Sequence, residues 1–227
     1  ARQQKELQTA FMNIFTREYF LKHYGNSDKK NPPRKLKTYR DAVKEALPKI
    51  KSKMRILDIG CGYGGFLSLL EGENKFETYG VDTSSYAIRE AKKRASKTKF
   101  WVKDLSSFQP KMRFHIICAF DVLEHIPKLD GVLKKIYDLL ERDGRFFCVV
   151  PVYDGVLGGI GSLLDKDTTH VHKKSRSFWI KKFSSRFVIL NIKGIVRYTF
   201  PLIGYKHVKS SYLTNFGQAI LFSMVKA

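Results

Sequence analysis

Cysteine is scarce in this sequence: 227 residues include only three, and no two of them form a CxxC pair. Cys61, Cys118 and Cys148 all lie in apolar stretches that have the character of buried strands. So few thiols in such surroundings exclude a disulfide framework and indicate a reduced interior.

Long uncharged runs are also missing. No run without a charged side chain reaches the roughly 20 residues that a membrane-spanning helix needs, and the first residues show no signal-peptide pattern. There is no internal repeat and no low-complexity tract, and the hydrophobic fraction of 43% is ordinary for a globular protein. We therefore expect a soluble, cytoplasmic protein, peripheral at an anionic membrane surface if it meets a membrane at all.

Acidic residues are few, since 21 Asp and Glu stand against 42 Lys and Arg, for a net charge of +21. The excess lies in the flanks: residues 1–55 hold 15 basic and 5 acidic residues, and residues 151–227 hold 12 and 3, whereas residues 56–150 hold 15 and 13. Such flanks favour anionic partners, namely nucleic acid, lipid headgroups or phosphorylated metabolites. The alternative interpretation is a solvated surface that keeps the protein soluble.

Strand and helix patterns alternate through the middle of the chain. The apolar pattern predicts strands at 55–59, 78–81, 100–102, 114–120 and 145–150, with helices that include 84–96 and 129–140. Alternation of this kind predicts a parallel sheet covered by helices on both faces. Outside it we expect helices within the first 30 residues, from the spacing of Leu7, Phe11, Ile14 and Phe15, and at 36–47 and 175–183. Further expectations are an irregular loop at 152–172 and strands at 187–193 and 218–225.

A glycine-rich segment, DIGCGYGG at residues 58–65, follows the first predicted strand. Glycines allow a sharp turn and a close approach of the backbone to a ligand. The spacing also satisfies the GxGxxG pattern of nicotinamide dinucleotide sites. However, Asp58 would repel a pyrophosphate and would suit a ligand that carries an ammonium and a sulfonium. Asp82, at the end of the second strand, can bind the two ribose hydroxyls of either kind of cofactor.

The chain resembles the class I S-adenosylmethionine-dependent methyltransferases, in particular the branch of ubiquinone-pathway, menaquinone-pathway and natural-product enzymes. Five motifs in the family's order carry this resemblance: ILDIGCGYGG at 56–65, YGVD at 79–82, VKDL at 102–105, DVLEHIP at 121–127 and RDG at 142–144. The resemblance covers residues 54–151.

The resemblance implies a Rossmann-like α/β fold, with a seven-stranded, mostly parallel sheet whose last strand runs antiparallel. We expect four parts: an N-terminal helical lid at 1–53, the cofactor-binding core at 54–151, an acceptor-site insertion at 152–185, and strands that complete the sheet at 186–227.

The resemblance also implies S-adenosyl-L-methionine as the cofactor and S-adenosyl-L-homocysteine as the product. In the family, the positions of Asp58 and the glycine loop hold the methionine part, that of Asp82 the ribose, and that of Asp104 the adenine amino group. Alternatively, Asp82 and Asp104 only cap a helix and a turn. The expected cofactor-binding residues are Asp58, Gly60, Cys61, Gly62, Gly64, Asp82, Thr83, Asp104, Leu105, Phe120 and Asp121.

For the acceptor side we expect Glu124 after the fourth strand, and Tyr19 and Tyr24 in the lid, although such aromatics equally serve packing. A general base for an oxygen acceptor is expected at His170, then at His172 or His125.

The run Asp165-x-Asp167-x-x-His170-x-His172 holds two of the three acids after residue 150. These side chains are able to bind a metal, but their spacing matches no metal motif, so we expect none. A substrate-facing loop and a surface loop whose acids pair with lysines remain the alternatives.

These features predict a methyltransferase for a small-molecule acceptor, anionic or lipid-linked, with O-methylation as the reaction. The Asn/Asp-Pro-Pro-Tyr sequence of amino-directed enzymes and the Pro-Cys nucleophile of pyrimidine-carbon enzymes are absent. The alternatives are an RNA- or protein-directed methyltransferase that uses the basic flanks, a non-catalytic nucleoside-binding module, and a nicotinamide-dependent reductase.

Overall fold

The computed structural model describes residues 14–25, 28–47, 53–165, 167–200 and 204–226. The strands in these ranges are β1 (Met54–Ile59), β2 (Phe76–Asp82), β3 (Lys99–Val102), β4 (Phe114–Phe120), β5 (Leu140–Pro151), β6 (Val188–Phe200), β7 (Gly204–Ser210) and β8 (Ala219–Val225). The α-helices are α1 (Arg17–His23), α2 (Pro33–Glu45), α3 (Gly65–Ser68), α4 (Ser85–Arg94), α5 (Leu129–Leu139), α6 (Gly155–Leu164) and α7 (Arg176–Ser184).

All eight of these strands form one sheet in the order β3-β2-β1-β4-β5-β8-β6-β7. The pairs from β3 to β5 are parallel, and β8 pairs antiparallel with both β5 and β6. The order of the parallel strands reverses between β1 and β4. At such a point the connections leave in opposite directions, which opens a crevice at the carboxyl ends of the strands.

Two apolar cores lie on opposite faces of the sheet, because successive residues of a strand point to opposite sides. Ile56 joins the core that α2 covers with Tyr39 and Val43. Its neighbour Leu57 joins the core formed with α5 and α7, which includes Trp179. The expected parallel sheet with helices on both faces is confirmed.

Within the described ranges the sheet has eight strands, one more than the seven expected. The additional strand is β7, which pairs with β6 in an antiparallel hairpin at the sheet edge. Its sequence, GYKHVKS, carries two lysines and little apolar alternation, which suits an edge strand but gives a weak strand signal. The antiparallel last strand is confirmed at β8.

The expectation of an irregular loop over 152–172 is wrong in its first half, where α6 forms. Four glycines lower the helix propensity of this segment and hid it from pattern reasoning. The turn before α6 is fixed by Arg176, whose Nη1 donates to Asp154 Oδ1 at 2.7 Å and whose Nε donates to Thr214 O at 2.8 Å. Neither α6 nor any other helix in the described ranges is long and apolar enough to cross a lipid bilayer.

The N-terminal helix differs from its prediction. Leu7 and Phe11 lie outside the described residues, and Ile14 and Phe15 lie in the turn that precedes α1. Helix α2 also differs, because it begins three residues before the predicted start. Its first residue is a proline, which is tolerated there because the N–H groups of the first turn have no partner within the helix.

Candidate active site

The glycine loop after β1 turns through three positive φ angles, 64° at Gly60, 51° at Gly62 and 68° at Gly64. A Cβ on Gly60 would lie 2.6 Å from Val122 Cγ2, so this glycine lets the loop pack against the turn that follows β4. A Cβ on Gly62 would meet nothing closer than Phe20 Cε1, at 3.9 Å. The loop is therefore closely packed at Gly60 and open at Gly62.

Asp82 ends β2 beside this loop and is buried. Its Oδ2 accepts a hydrogen bond from the Gly62 N–H, and its Oδ1 accepts one from the Ser84 N–H, both at 2.9 Å. Burial nevertheless raises the pKa of Asp82. The bond from Ser84 is the helix-capping contact that was the alternative role of Asp82. The bond from Gly62 joins Asp82 to the glycine loop.

Asp58 is the most unusual acid of the site. The residue is 5% exposed, and among the described residues no group donates a hydrogen bond to its carboxylate. Burial, and then the nearby charge of Asp82, raise the pKa of Asp58 well above its usual value. A buried carboxylate without a protein partner favours a cationic ligand.

The remaining residues expected at the cofactor lie at the ends of β1, β2 and β3. Cys61 is buried and Thr83 half-buried. Leu105 lies in the core. Asp104 Oδ1 accepts a hydrogen bond from the Ser106 N–H at 2.8 Å and caps the short 3₁₀ turn Leu105–Ser107. Asp104 therefore caps a turn, as its alternative role predicted. A contact with the adenine of a cofactor would be a second role of the same side chain.

The end of β4 contacts α2 and β6 through the side chains of Phe120 and Asp121. The Phe120 ring stacks on Tyr39, with ring centroids 4.4 Å apart. Asp121 Oδ2 lies 2.8 Å from Lys35 Nζ, and Oδ1 lies 2.8 Å from Arg197 Nη2. Burial would raise the pKa of Asp121, but Arg197 and Lys35 hold it well below its usual value.

The aromatic side chains of α1 lie over the glycine loop. Phe20 stacks on Tyr63 of that loop, with centroids 5.3 Å apart, and Tyr24 lies 5.2 Å from Phe20. Tyr19 reaches the other side, where its hydroxyl donates to Asp167 Oδ2 at 3.4 Å. These residues therefore pack against one another, against Tyr63 of the glycine loop and against Asp167.

The loop from Asp165 to His172 folds back onto the turn after β4. The Glu124 carbonyl accepts hydrogen bonds from the backbone N–H groups of Val171 and His172, both at 3.0 Å. This pairing brings His170 next to His125, with ring centroids 4.6 Å apart.

Asp167 of this loop is buried and Asp165 is half-buried, and each of them pairs with a lysine, as the surface-loop alternative expects. Asp167 is 7% exposed and pairs with Lys30 at 2.9 Å. Asp165 is 12% exposed, lies 2.7 Å from His170 Nδ1, and accepts a hydrogen bond from the Tyr153 hydroxyl at 2.6 Å. Burial opposes ionisation of Asp165, yet its bonds lower the pKa to about 2, so it is a carboxylate beside the imidazole.

Glu124, His125 and His170 form one cluster, in which one ligand-type atom from each lies within 4.8 Å of the others. Glu124 is 1% exposed, and its Oε2 has no hydrogen-bond partner. His172 does not join them, because its Nε2 bonds the Ile126 carbonyl at 2.9 Å. The structure therefore brings together two of the three histidines considered as bases.

A family model described as a methyltransferase domain matches residues 32–186, which include the glycine loop, Asp58, Asp82 and this cluster. The chain belongs to this methyltransferase family. The family resemblance found in the sequence is confirmed.

Two curated relatives match the central part of the chain. (S)-coclaurine N-methyltransferase of Papaver somniferum is 30% identical over 106 residues, which are 43% of this chain and 30% of the relative. Ubiquinone biosynthesis O-methyltransferase of Pelagibacter ubique is 32% identical over 98 residues, 41% of this chain and 40% of the relative. The matched segments thus span less than half of each relative.

Among solved structures, magnesium protoporphyrin IX methyltransferase from Synechocystis, with bound S-adenosylhomocysteine, has a TM-score of 0.69. The two sequences are 17% identical, and the match covers 97% of this chain and 100% of that chain. At this identity the likeness establishes the Rossmann-like methyltransferase fold.

Several residues of this family member's site were not anticipated from the sequence. Lys35, Arg197 and Tyr153 all bond to anticipated residues. The one available signal was the excess of basic residues in the flanks, since Lys35 and Arg197 come from them.

Proposed function

We propose that this protein is an S-adenosylmethionine-dependent methyltransferase that acts on a small-molecule acceptor, with an oxygen as the methylated atom. The observation that carries the proposal is Asp58, a buried carboxylate that accepts no hydrogen bond from the described residues and lies near Asp82, which bonds the glycine loop at Gly62. A ligand that brings its own positive charge to this place offsets the cost of burying Asp58. A dinucleotide pyrophosphate would add to that cost.

The residues around the loop fit the cofactor. Gly62 leaves the space that a closely approaching ligand needs, and Asp58 faces the methionine part. Asp82 and Asp104 serve the ribose and the adenine, with Thr83, Leu105 and Cys61 beside them. When bound, S-adenosylmethionine supplies a methyl group that is already activated on a sulfonium, so the protein chiefly aligns the reactants and excludes water.

For an oxygen acceptor, His170 is the base when no metal ion is bound to it. Asp165 accepts the Nδ1 proton of His170 and leaves the Nε2 lone pair to take the hydroxyl proton. As the acceptor oxygen forms its bond to the methyl carbon, the carbon–sulfur bond breaks, and its electron pair stays on sulfur. The hydroxyl proton ends on the imidazole and then passes to solvent.

The choice of oxygen rests on this histidine–carboxylate pair. Relatives in the family carry N- and O-methyltransferase names. A free amine already offers a lone pair, whereas a hydroxyl of high pKa gains about 10²–10⁴ in rate from a positioned base. The half-buried Asp165–His170 pair therefore favours a hydroxyl as the acceptor group.

We also propose that α1 acts as a lid and that the acceptor is anionic or lies at an anionic surface. The basic flanks contribute Lys30, Lys35 and Arg197 close to the site. A salt series tests the second point, because screening weakens attraction between charges. The KM for the acceptor should rise with ionic strength while cofactor affinity stays constant, and an unchanged KM would contradict an anionic acceptor.

The function is tested by binding and by transfer. Calorimetry with S-adenosylhomocysteine should detect a site in the wild-type protein and a loss of affinity of about 10- to 150-fold in Asp82→Asn, which removes a charged acceptor. The matched control is Asp143→Asn, at an exposed position with φ 58°, which Asn tolerates.

Transfer is followed with labelled S-adenosylmethionine and separate pools of lipids, metabolites, RNA and protein. Label in the lipid or metabolite pool supports the proposal, and label confined to RNA or protein overturns the small-molecule acceptor. Binding without label in any pool supports the non-catalytic module, and affinity for NADH in place of S-adenosylhomocysteine supports the reductase.

A further inference from the structure

We propose that Glu124, His125 and His170 form a binding site for one divalent transition-metal ion of the zinc class. The three side chains come from the turn after β4 and from the loop after α6, and one ligand-type atom of each lies within 4.8 Å of the others. Two imidazoles and one carboxylate are a common set of protein ligands for such an ion.

The first support is the state of Glu124. It is almost completely buried, and its Oε2 has no hydrogen-bond partner. The nearby cations are already paired, since Lys35 and Arg197 bind Asp121, and Lys30 binds Asp167. A buried carboxylate oxygen with no partner is costly, and a bound cation would remove that cost.

The second support is the way in which His125 is held. Thr169 Oγ1 donates its only proton to Asp167 Oδ1 at 2.5 Å, so it accepts the hydrogen bond from His125 Nδ1 at 2.8 Å. The lone pair of His125 is therefore on Nε2. An imidazole that donates through Nδ1 can bind a metal ion through its Nε2 lone pair.

His170 is held in the same manner. Its Nδ1 lies 2.7 Å from Asp165 Oδ2, which accepts the Nδ1 proton and leaves the Nε2 lone pair available. A second partner that bonds the non-ligating nitrogen is the usual support of a metal-binding histidine. Both histidines of the cluster thus have that support, one from Thr169 and one from Asp165.

The distances allow such an ion. Ligands that stand about 2.1 Å from a tetrahedral metal are about 3.4 Å from one another, so these atoms would need to approach by at most about 1.4 Å. Three protein ligands leave one position open, as in catalytic rather than structural sites. Imidazole nitrogens favour zinc, cobalt or iron over magnesium or calcium.

The role of the ion in catalysis rests on the proposed function, whereas its binding does not. With the ion bound, His170 is a ligand and not a base. A Lewis acid at this place would instead favour the ionised form of an acceptor hydroxyl, whose proton then leaves to solvent. This assignment revises the expectation of no metal, which considered only the spacing within residues 165–172.

The test is zinc binding to the chelator-treated, full-length protein, measured by calorimetry without cofactor or acceptor. Wild type should bind one equivalent, and Glu124→Gln and His170→Ala should each weaken binding by at least about 100-fold. The matched control is His172→Gln, two residues from His170, which should bind zinc as wild type does. Thr169→Val should give an intermediate loss of about 10- to 100-fold.

A second readout does not depend on affinity. Co²⁺ added to the wild-type protein should give visible absorption bands of a low-symmetry site, and Glu124→Gln should change them. Circular dichroism and S-adenosylhomocysteine affinity verify that each variant is folded. No zinc binding by wild type, or equal binding by all variants, would overturn the metal site; methyl transfer by the chelator-treated protein would then assign His170 as the base.

Discussion

The two halves of the site are held by different kinds of bonds. In the half that we propose for the cofactor (the cofactor half: Asp58, the glycine loop 60–64 and Asp82), the bonds of Asp82 go to backbone N–H groups. In the half that we propose for the acceptor (the acceptor half: Glu124, His125 and the loop 165–172), side chains bond mainly to other side chains. The first half therefore depends on backbone geometry. The second depends on the identity of side chains, which allows its chemistry to vary on the same backbone.

The largest expected effect is at Gly62. In Gly62→Ala the new Cβ would meet no atom of the described residues closer than Phe20 Cε1, at 3.9 Å, but would enter the space proposed for the cofactor. Affinity for S-adenosylhomocysteine should therefore fall by more than about 100-fold. The protein should still fold, with a loss of about 1–2 kcal/mol from the positive φ. Calorimetry and thermal unfolding measure the two effects.

Gly60→Ala is the companion to that variant. It has the same φ penalty plus a contact of 2.6 Å with Val122, so it should cost about 1–3 kcal/mol more in unfolding free energy than Gly62→Ala. Equal stability of the two alanine variants would show that the loop is not packed against the β4 turn.

Asp58→Asn should separate binding from stability. Removing the charge should weaken S-adenosylhomocysteine binding by about 10- to 150-fold and should stabilise the ligand-free protein at neutral pH by about 0.5–2 kcal/mol. The sign follows from the raised pKa of Asp58, because the ionised form is disfavoured in the folded state, and stability falls as pH rises above the ordinary Asp value.

Thermal unfolding at pH 5 and pH 8 measures this contribution. The advantage of the asparagine variant should grow toward pH 8, and a variant less stable than wild type at both pH values would mean that Asp58 has a protein partner.

Asp165→Asn should affect only the acceptor half. The amide no longer fixes the His170 tautomer as a carboxylate does, so kcat should fall by about 10- to 100-fold. Affinity for S-adenosylhomocysteine should remain within about twofold, because Asp165 bonds only within its own half and to Tyr153 and Lys173. Steady-state kinetics with calorimetry decide this, and a parallel loss of both quantities would mean that the halves are not independent.

The smallest expected effect is at Asp104. Asn caps a turn about as well as Asp, so Asp104→Asn should leave the melting temperature unchanged. Any loss of cofactor affinity, expected below about 10-fold, then reports a direct contact with the cofactor. Unchanged affinity would assign Asp104 to the turn alone, and Asp143→Asn serves again as the control.

The same difference between the halves explains what the sequence could predict. The cofactor half is continuous with β1 and β2, so its glycines and acids form local motifs that pattern reasoning finds. The acceptor half joins Glu124 and His125 to His170, and Asp121 to Lys35 and Arg197, across long separations in the chain. Spacing within one segment contains no information on such pairs, which is why a metal was not expected.

Errors in the fold have similarly specific causes. The glycines of α6 masked a helix, and the lysines of β7 masked an edge strand. In β5, the Asp143–Gly144 turn suggested a start at residue 145, but the strand begins at Leu140 and passes this point through a register shift in its pairing with β4. The strands β1 to β4, by contrast, have strong apolar runs and were predicted within two residues.

The position of β8 between β5 and β6 has a consequence for biogenesis. Because β6 pairs with β8 and not with β5, the β6–β7 hairpin has no place in the sheet until residues 219–225 have been synthesised. During translation the apolar edge of β5 stays uncovered for the time it takes the ribosome to add some seventy further residues, which at roughly 5–20 residues per second is several seconds. A nascent chain stalled in this interval would present an aggregation-prone edge to chaperones.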